Sequence, residues 1–213
     1  MMMRAAMPRL PRLHVIVGDG IVGAEDYPER LGPVVAAGDG ALGLHLRTRT
    51  ATARRLFEAT RRLLELSRET GTLVVVNDRV DVAVAAGAGG VHLKEDSLPV
   101  PDARRIAGDR LRVGRSIHSS EQAVGLRGSG LDYLVLGAVY PTRSHPDRPA
   151  LGVEAVAAAV AGSDLPVLAI GGITPSVVPD VLARGAHGVV VLSGVWGAKS
   201  PRNAVTRYLE ALG

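Results

Sequence analysis

The sequence predicts an α/β fold, a single (β/α)8 barrel, and three observations carry that prediction. Short apolar, β-branched runs alternate with longer segments of helical period. One kind of phrase recurs four times where a helix gives way to a strand: AAGDGALGLHL near Gly40, AAGAGGVHL near Gly89, GSGLDYLVLG near Gly130 and ARGAHGVVVL near Gly185. No linker-like shift in composition interrupts the series. Eight units in 213 residues leave about 27 residues per unit, inside the lower range of TIM barrels. A doubly wound open sheet is the competing architecture, because periodicity does not say whether a sheet closes.

The expected strands are Leu13 to Val17, Leu42 to Leu46, Leu73 to Val76, Gly90 to Leu93, Leu111 to Gly114, Tyr133 to Leu136, Val167 to Ile170 and Val189 to Leu192. Helical stretches fill the gaps: Thr50 to Ser67, Asp81 to Ala86, Ser119 to Leu126, Val153 to Ala161, Ser176 to Ala183 and Pro201 to Leu212. Several open on Ser, Thr or Asp, whose side chains cap free N–H groups, and several close on glycine. Two further helices, within Pro28 to Ala37 and near Pro101 to Ala107, show a weaker pattern. Residues 1–12 read as a flexible N-terminal extension ahead of one domain over 13–213. Met1 to Pro11 carries Arg4 and Arg9 but no apolar stretch of the length a secretory signal needs.

Composition excludes several classes of function. With no cysteine there is no disulfide, thiolate metal site or cysteine nucleophile, and a cytoplasmic location is the default expectation. The apolar runs are too short to cross a bilayer, so no membrane partner is expected. A net charge of +4 is spread along the chain, without the basic stripe and stacking rings that nucleic acid calls for. Isolated arginines suit a small anionic ligand better. The two lysines, Lys94 and Lys199, stand in no recognisable nucleophile context.

Several constellations could carry chemistry. Gly18-Asp19-Gly20-Ile21-Val22-Gly23 satisfies G-x-G-x-x-G, with Asp39 near the ribose-binding position. Ala24-Glu25-Asp26-Tyr27-Pro28 then offers no helix of the kind a dinucleotide site requires, so no nicotinamide or flavin is expected. Gly171-Gly172 after the seventh strand and Ser193-Gly194 after the eighth fall where barrels commonly hold a phosphate, since glycine lets main-chain N–H groups approach an anion. The bland alternative is a pair of tight turns with no ligand. After the fifth strand comes Gly114-Arg115-Ser116-Ile117-His118-Ser119, where His118 could pass a proton near neutral pH or simply begin a helix. His14, His45, His92 and His187 begin or lie in strands and read as structural; no pair shows metal-ligand spacing. Asp78, Asp81, Glu95 and Asp96 could hold a hard cation or cap helices.

Taken together, HLRTR, VNDRVD, GGVHL, GRSIHS, DYLVLGAVYPT, LGVEA, AIGGITP and VLSGV resemble, in order, the motifs of the thiamine phosphate synthase/TenI superfamily, a family of (β/α)8 barrels. The resemblance runs from Leu13 to Leu212 and implies one of two activities. Synthases join a pyrimidine diphosphate to a thiazole phosphate with magnesium; TenI-type tautomerases aromatise the thiazole precursor. The synthase pattern has an arginine-glutamate-lysine triplet where this chain has Arg47-Thr48-Arg49. Its Asn-Asp pair is present as Asn77-Asp78. Its second metal-ligating aspartate matches Ser97, with Asp96 one residue away, and its Thr-x-Thr-Lys phrase matches Thr142-Arg143-Ser144-His145.

Losing two lysines and a carboxylate removes charge that would neutralise a magnesium diphosphate. Arg49 or His145 could restore part of that charge, but GRSIHS with the closing LSGV resembles the TenI-type pattern, whose proton-transfer histidine matches His118, and this resemblance implies a thiazole tautomerase, an isomerase of thiamine biosynthesis acting on 2-carboxy-4-methylthiazol-5(2H)-ylidene ethyl phosphate. In that reading His118 is the catalytic proton carrier, Gly172, Ser193 and Gly194 hold the phosphate, and Arg47 steers the carboxylate. Asn77, Ser116 and Thr142 complete the substrate pocket, with no metal and no organic cofactor. The alternative is thiamine phosphate synthase with Mg2+; a second alternative is a non-catalytic thiazole phosphate-binding accessory protein. A homo-oligomer is expected, with the phosphorylated thiazole as the small-molecule partner.

Overall fold

A computed structural model describes residues 9–142 and 149–213. Its strands are β1 Leu13–Val17, β2 Leu42–Leu46, β3 Leu73–Asn77, β4 Gly90–Leu93, β5 Arg112–Ile117, β6 Tyr133–Gly137, β7 Val167–Ile170 and β8 Gly188–Val191. They close in sequence order, all parallel, with β1 pairing both β2 and β8. The open-sheet alternative is thereby removed. Four strand positions coincide with the expected runs residue for residue; the other four shift or lengthen by one to three residues, where polar residues such as Asn77 and Ser116 continue a strand.

The helices are α1 Asp19–Val22, α2 Tyr27–Gly38, α3 Ala53–Leu66, α4 Val80–Ala86, α5 Val100–Ala107 and α6 Ser120–Gly125. After them come α7 Glu154–Gly162, α8 Val178–Ala183, α9 Ser193–Trp196 and α10 Pro201–Leu212. Side-chain caps begin three of them, at the expected residue for Ser119 and within two residues of it for the others: Thr52 accepts from Arg55 N–H, Ser119 from Gln122 and Ser200 from Asn203. The two single-turn helices α1 and α9 carry no apolar period long enough to read from sequence, and α1 ends at Gly23, too short for a dinucleotide fold.

Two cores result. One lies between strands and helices, where Leu13, Val15, Leu44, Leu46, Val76 and Leu93 face the outer ring. The other fills the barrel, built on Leu10, Ile16, Tyr133, Val135, Leu168 and Val190. Glycine makes room for the large interior rings: a Cβ on Gly114 would stand 2.1 Å from Tyr133 Cζ. Of the expected N-terminal extension, residues 1–8 lie outside the described residues. Leu10 and Pro11 are buried against the barrel floor. There Arg12 O accepts from Val189 N–H at 2.8 Å and Leu10 O from His187 Nε2–H at 2.9 Å.

Candidate active site

A cavity of about 850 Å³ opens at the carboxyl ends of the strands. All eight residues expected from sequence line it: Arg47, Asn77, Ser116, His118, Thr142, Gly172, Ser193 and Gly194. Arg143, Ser144 and His145 lie outside the described residues.

The loop after β2 is fastened by the aspartate of the glycine phrase. The Asp19 carboxylate accepts from the Thr48 hydroxyl, from Arg49 N–H at 3.1 Å and from Thr50 Oγ1 at 2.9 Å. Those bonds, that of Thr48 foremost, hold Asp19 below the ordinary carboxylate range. The G-x-G-x-x-G phrase thus organises a neighbouring loop. Arg47, half-buried beside Arg49, is pushed below the usual guanidinium value first by burial and then by that neighbouring cation, while Asp78 and Asp19 act in the opposite sense.

Between β3 and β4 the backbone turns on Asp78, in the left-handed region at φ 61°, which aspartate tolerates better than most side chains. Its N–H donates to His92 O at 2.9 Å. Its Oδ1 accepts from Lys94 N–H at 2.9 Å and from the Ser97 hydroxyl, and its Oδ2 pairs with Lys94 Nζ at 2.6 Å. Burial raises its pKa, but the bonds from Lys94 and Ser97 outweigh burial and leave it below the ordinary value. Asn77 is buried with its Oδ1 unpartnered among the described residues.

This donor set does not fit a resident magnesium. Such an ion takes carboxylate and water oxygens in octahedral array. Here both oxygens of Asp78 are engaged by an ammonium, an amide N–H and a hydroxyl, and Ser97 stands where the family pattern has the second carboxylate. Asp96 lines the cavity as an exposed side chain. Among the described residues no group of three His, Asp or Glu side chains is arranged to hold a metal ion.

His118 is not a solitary rim imidazole. Its Nδ1–H donates to Gly137 O at 2.6 Å, and its Nε2 faces Glu95 Oε2 at 3.6 Å. Gln122 links the two residues, accepting from His118 N–H at 2.6 Å and donating to Glu95. Ser116 Oγ pairs with His92 Nε2 at 2.9 Å. Of the four acidic candidates, Asp81 sits instead at the start of α4, bound by Arg79 Nε–H at 2.9 Å.

The two glycine turns are shaped by packing as well as by any ligand. Gly172 has φ 65°, and a Cβ there would lie 2.5 Å from Pro141 O. A Cβ on Gly194 would lie 2.1 Å from the Tyr208 hydroxyl, which donates to Ile173 O at 2.8 Å. Tyr208, on α10, therefore locks both turns together. The first turn of α9 leaves the N–H groups of Ser193 and Gly194 without helical partners, as any helix start does. Sequence reasoning missed Lys94 as a cavity cation and underweighted Arg49. The available signal was that Lys94, one of two lysines in the chain, directly follows β4.

A closed parallel barrel with a cavity at the carboxyl ends of its strands defines the class, the TIM barrels. Residues 13–195 match the family described as thiamine monophosphate synthase, and the chain belongs to the thiamine phosphate synthase/TenI superfamily. The thiamine-phosphate synthase of Anaeromyxobacter dehalogenans is 41% identical over 205 residues, covering 95% of this chain and 88% of its own. That of Natronomonas pharaonis is 39% identical over 172 residues, covering 79% and 80%. A solved thiamine phosphate pyrophosphorylase from Pyrococcus furiosus superposes with a TM-score of 0.82 at 33% identity, covering 94% of this chain and 95% of that one.

These relatives overturn the expectation of a thiazole tautomerase, and with it the assignment to the isomerases: they are named as synthases, which are transferases. The expectation failed because lysines were counted only at family positions. Lys94 brings positive charge to the same cavity from outside those positions, and Arg49, standing where the family has lysine, keeps a cation there.

Proposed function

We propose that this protein joins a hydroxymethylpyrimidine carried as its diphosphate ester to a thiazole phosphate, giving thiamine phosphate and diphosphate. The observation that carries this reading is the agreement of two relatives about 40% identical across most of the chain, both named for that product. In the reaction the thiazole ring nitrogen donates its lone pair to the exocyclic methylene carbon of the pyrimidine. The carbon–oxygen bond to diphosphate breaks and its electron pair departs with the leaving group, so no net proton transfer is needed.

The chain's residues divide the work by charge. Arg47, Arg49 and Lys94 lie on the β2–β4 side of the cavity and meet the charge that develops on the departing diphosphate, where fixed cations act with most effect. Gly172, Ser193 and Gly194 on the β7–β8 side take the thiazole phosphate through main-chain N–H groups and the serine hydroxyl. The two anchors hold the rings face to face, which replaces the entropy of a bimolecular encounter. Asn77, whose buried Oδ1 lacks a partner among the described residues, accepts from the pyrimidine amine. Ser116 and Thr142 border the ring space, and His118 positions Gly137 and Glu95. A cytoplasmic location and a homo-oligomer fit this reading.

The test is direct. Purified protein given both substrates should form thiamine phosphate, detected as its fluorescent thiochrome derivative, and neither substrate alone should give it. Absence of product, with magnesium and without, would remove the proposal.

A further inference from the structure

We infer that this barrel neutralises the diphosphate with its own side chains, Lys94 held on Asp78 together with Arg47 and Arg49, and binds it without a divalent cation. The inference rests on the reading that the cavity receives a diphosphate ester. It starts from the misfit between the Asp78 environment and a resident magnesium.

Lys94 Nζ stands 2.6 Å from Asp78 Oδ2, so an ammonium already satisfies the carboxylate oxygen that a divalent cation would need. Lys94 lines the cavity and is 47% exposed, whereas Asp78, 22% exposed, stands behind it outside the lining. An ammonium carries three N–H donors. With one committed to Asp78, the others remain for phosphate oxygens, and the carboxylate fixes the long stem that would otherwise have to be ordered on binding.

The rest of the turn reinforces this arrangement. Asp78 Oδ1 is filled by Lys94 N–H and by Ser97, and the Asp78 N–H is bound to β4, so the carboxylate cannot swing away. Ser97 matters in its own right: a hydroxyl there donates to Asp78, whereas a second carboxylate would repel it and invite a metal. On the facing loop Arg47 and Arg49 line the same cavity, steadied by Asp19. Guanidinium groups bind phosphate oxygens in pairs, and lysine serves as a point charge, so the three together can cover both phosphate groups.

The experiment is calorimetric titration of the full-length protein with inorganic pyrophosphate, in EDTA and again in magnesium chloride. The unaltered protein should bind in EDTA, with magnesium changing Kd by less than about threefold, because the cations are already in place. Lys94→Gln should weaken binding in EDTA by about tenfold or more, and Lys94→Arg should keep most of it. The double variant Lys94→Gly with Ser97→Asp should bind only in magnesium.

A requirement for magnesium in the unaltered protein, or unchanged binding by Lys94→Gln in EDTA, would overturn the inference. Failure here is distinct from failure of the synthase reading. Thiamine phosphate formed solely in the presence of magnesium would sink the inference and leave the synthase standing. Pyrophosphate bound in EDTA by a protein that makes no thiamine phosphate would do the reverse.

Discussion

Arg47 is one of the residues whose position could be read from sequence, since HLRTR fixes it at the end of the second strand. Its electrostatic setting could not. The guanidinium is half-buried between Arg49 and the carboxylates of Asp78 and Asp19, a neighbourhood assembled from three loops. We expect Arg47→Ala to lower kcat/KM for the joining reaction by about a hundredfold, the usual loss when one fixed donor to a developing anion is removed. Arg47→Lys should fall between, because an ammonium lacks the paired donors of the guanidinium. Steady-state kinetics over both substrates would check this, and an Arg47→Ala protein with unchanged kcat/KM would exclude the role.

At the scale of elements, α10 matters more than its distance along the chain suggests. Tyr208 reaches from it to the turns after β7 and β8, and the absence of a side chain on Gly194 is what admits the ring. Gly194→Ala should raise KM for the thiazole phosphate, and Tyr208→Phe should lower stability by about 1 kcal/mol through the lost hydrogen bond to Ile173 O. Because the added methyl meets the very hydroxyl that Phe lacks, the double variant should recover part of the KM defect, a non-additivity expected of residues in contact. Strict additivity would show that the two do not act through each other.

A second element-scale prediction concerns Arg104 on α5. It donates to Gly108 O, Leu111 O and Gly130 O, and pairs with the nearly buried Asp132 at 2.7 Å. Removing Arg104 takes the paired cation from a nearly buried carboxylate that also accepts from Val113 N–H, so Arg104→Ala should cost about 3 kcal/mol of stability in urea denaturation. Catalytic constants measured below the unfolding transition should stay near normal. In sequence, Arg104 looked like any other helical arginine, since its partners come from the turn after α5 and from the loop leading into β6.

The whole barrel carries a polar chain through its interior. His14 Nδ1 and His45 Nε2 are 2.7 Å apart, the rings of His45 and His92 lie 5.3 Å apart, and His92 reaches Ser116 at the cavity floor. Burial lowers the pKa of all three histidines, with His92 falling to about 3 and each cation opposed by a neighbouring ring. They are neutral when folded, while the unfolded chain protonates near the ordinary value of about 6.5. Below that pH the unfolded state binds more protons, so stability is lost as pH falls and keeps falling toward the folded values. Each histidine contributes a slope of about 1.4 kcal/mol per pH unit in that window. The urea midpoint should therefore drop between pH 7.5 and 5.5, before carboxylates titrate, and less steeply in His92→Gln. Equal midpoints at the two pH values would refute it.

Local residue choice by itself determined the order of elements: eight β-branched runs, the helical periods between them and the glycines at their junctions follow from short-range propensity and hydrophobic period. The motif phrases also named the loops that face the cavity, and all eight expected lining residues are there. Closure of the sheet was a tertiary outcome, because strand pairing between β1 and β8 is a contact across the full length of the chain. So was the direction of the chemistry. Whether missing lysines leave a cavity short of positive charge depends on what other loops bring to the same few ångströms, and Coulomb interactions follow distance in space, not separation along the chain. Lys94, set against Asp78 by two strand ends lying side by side, is a cation whose value only the folded barrel reveals.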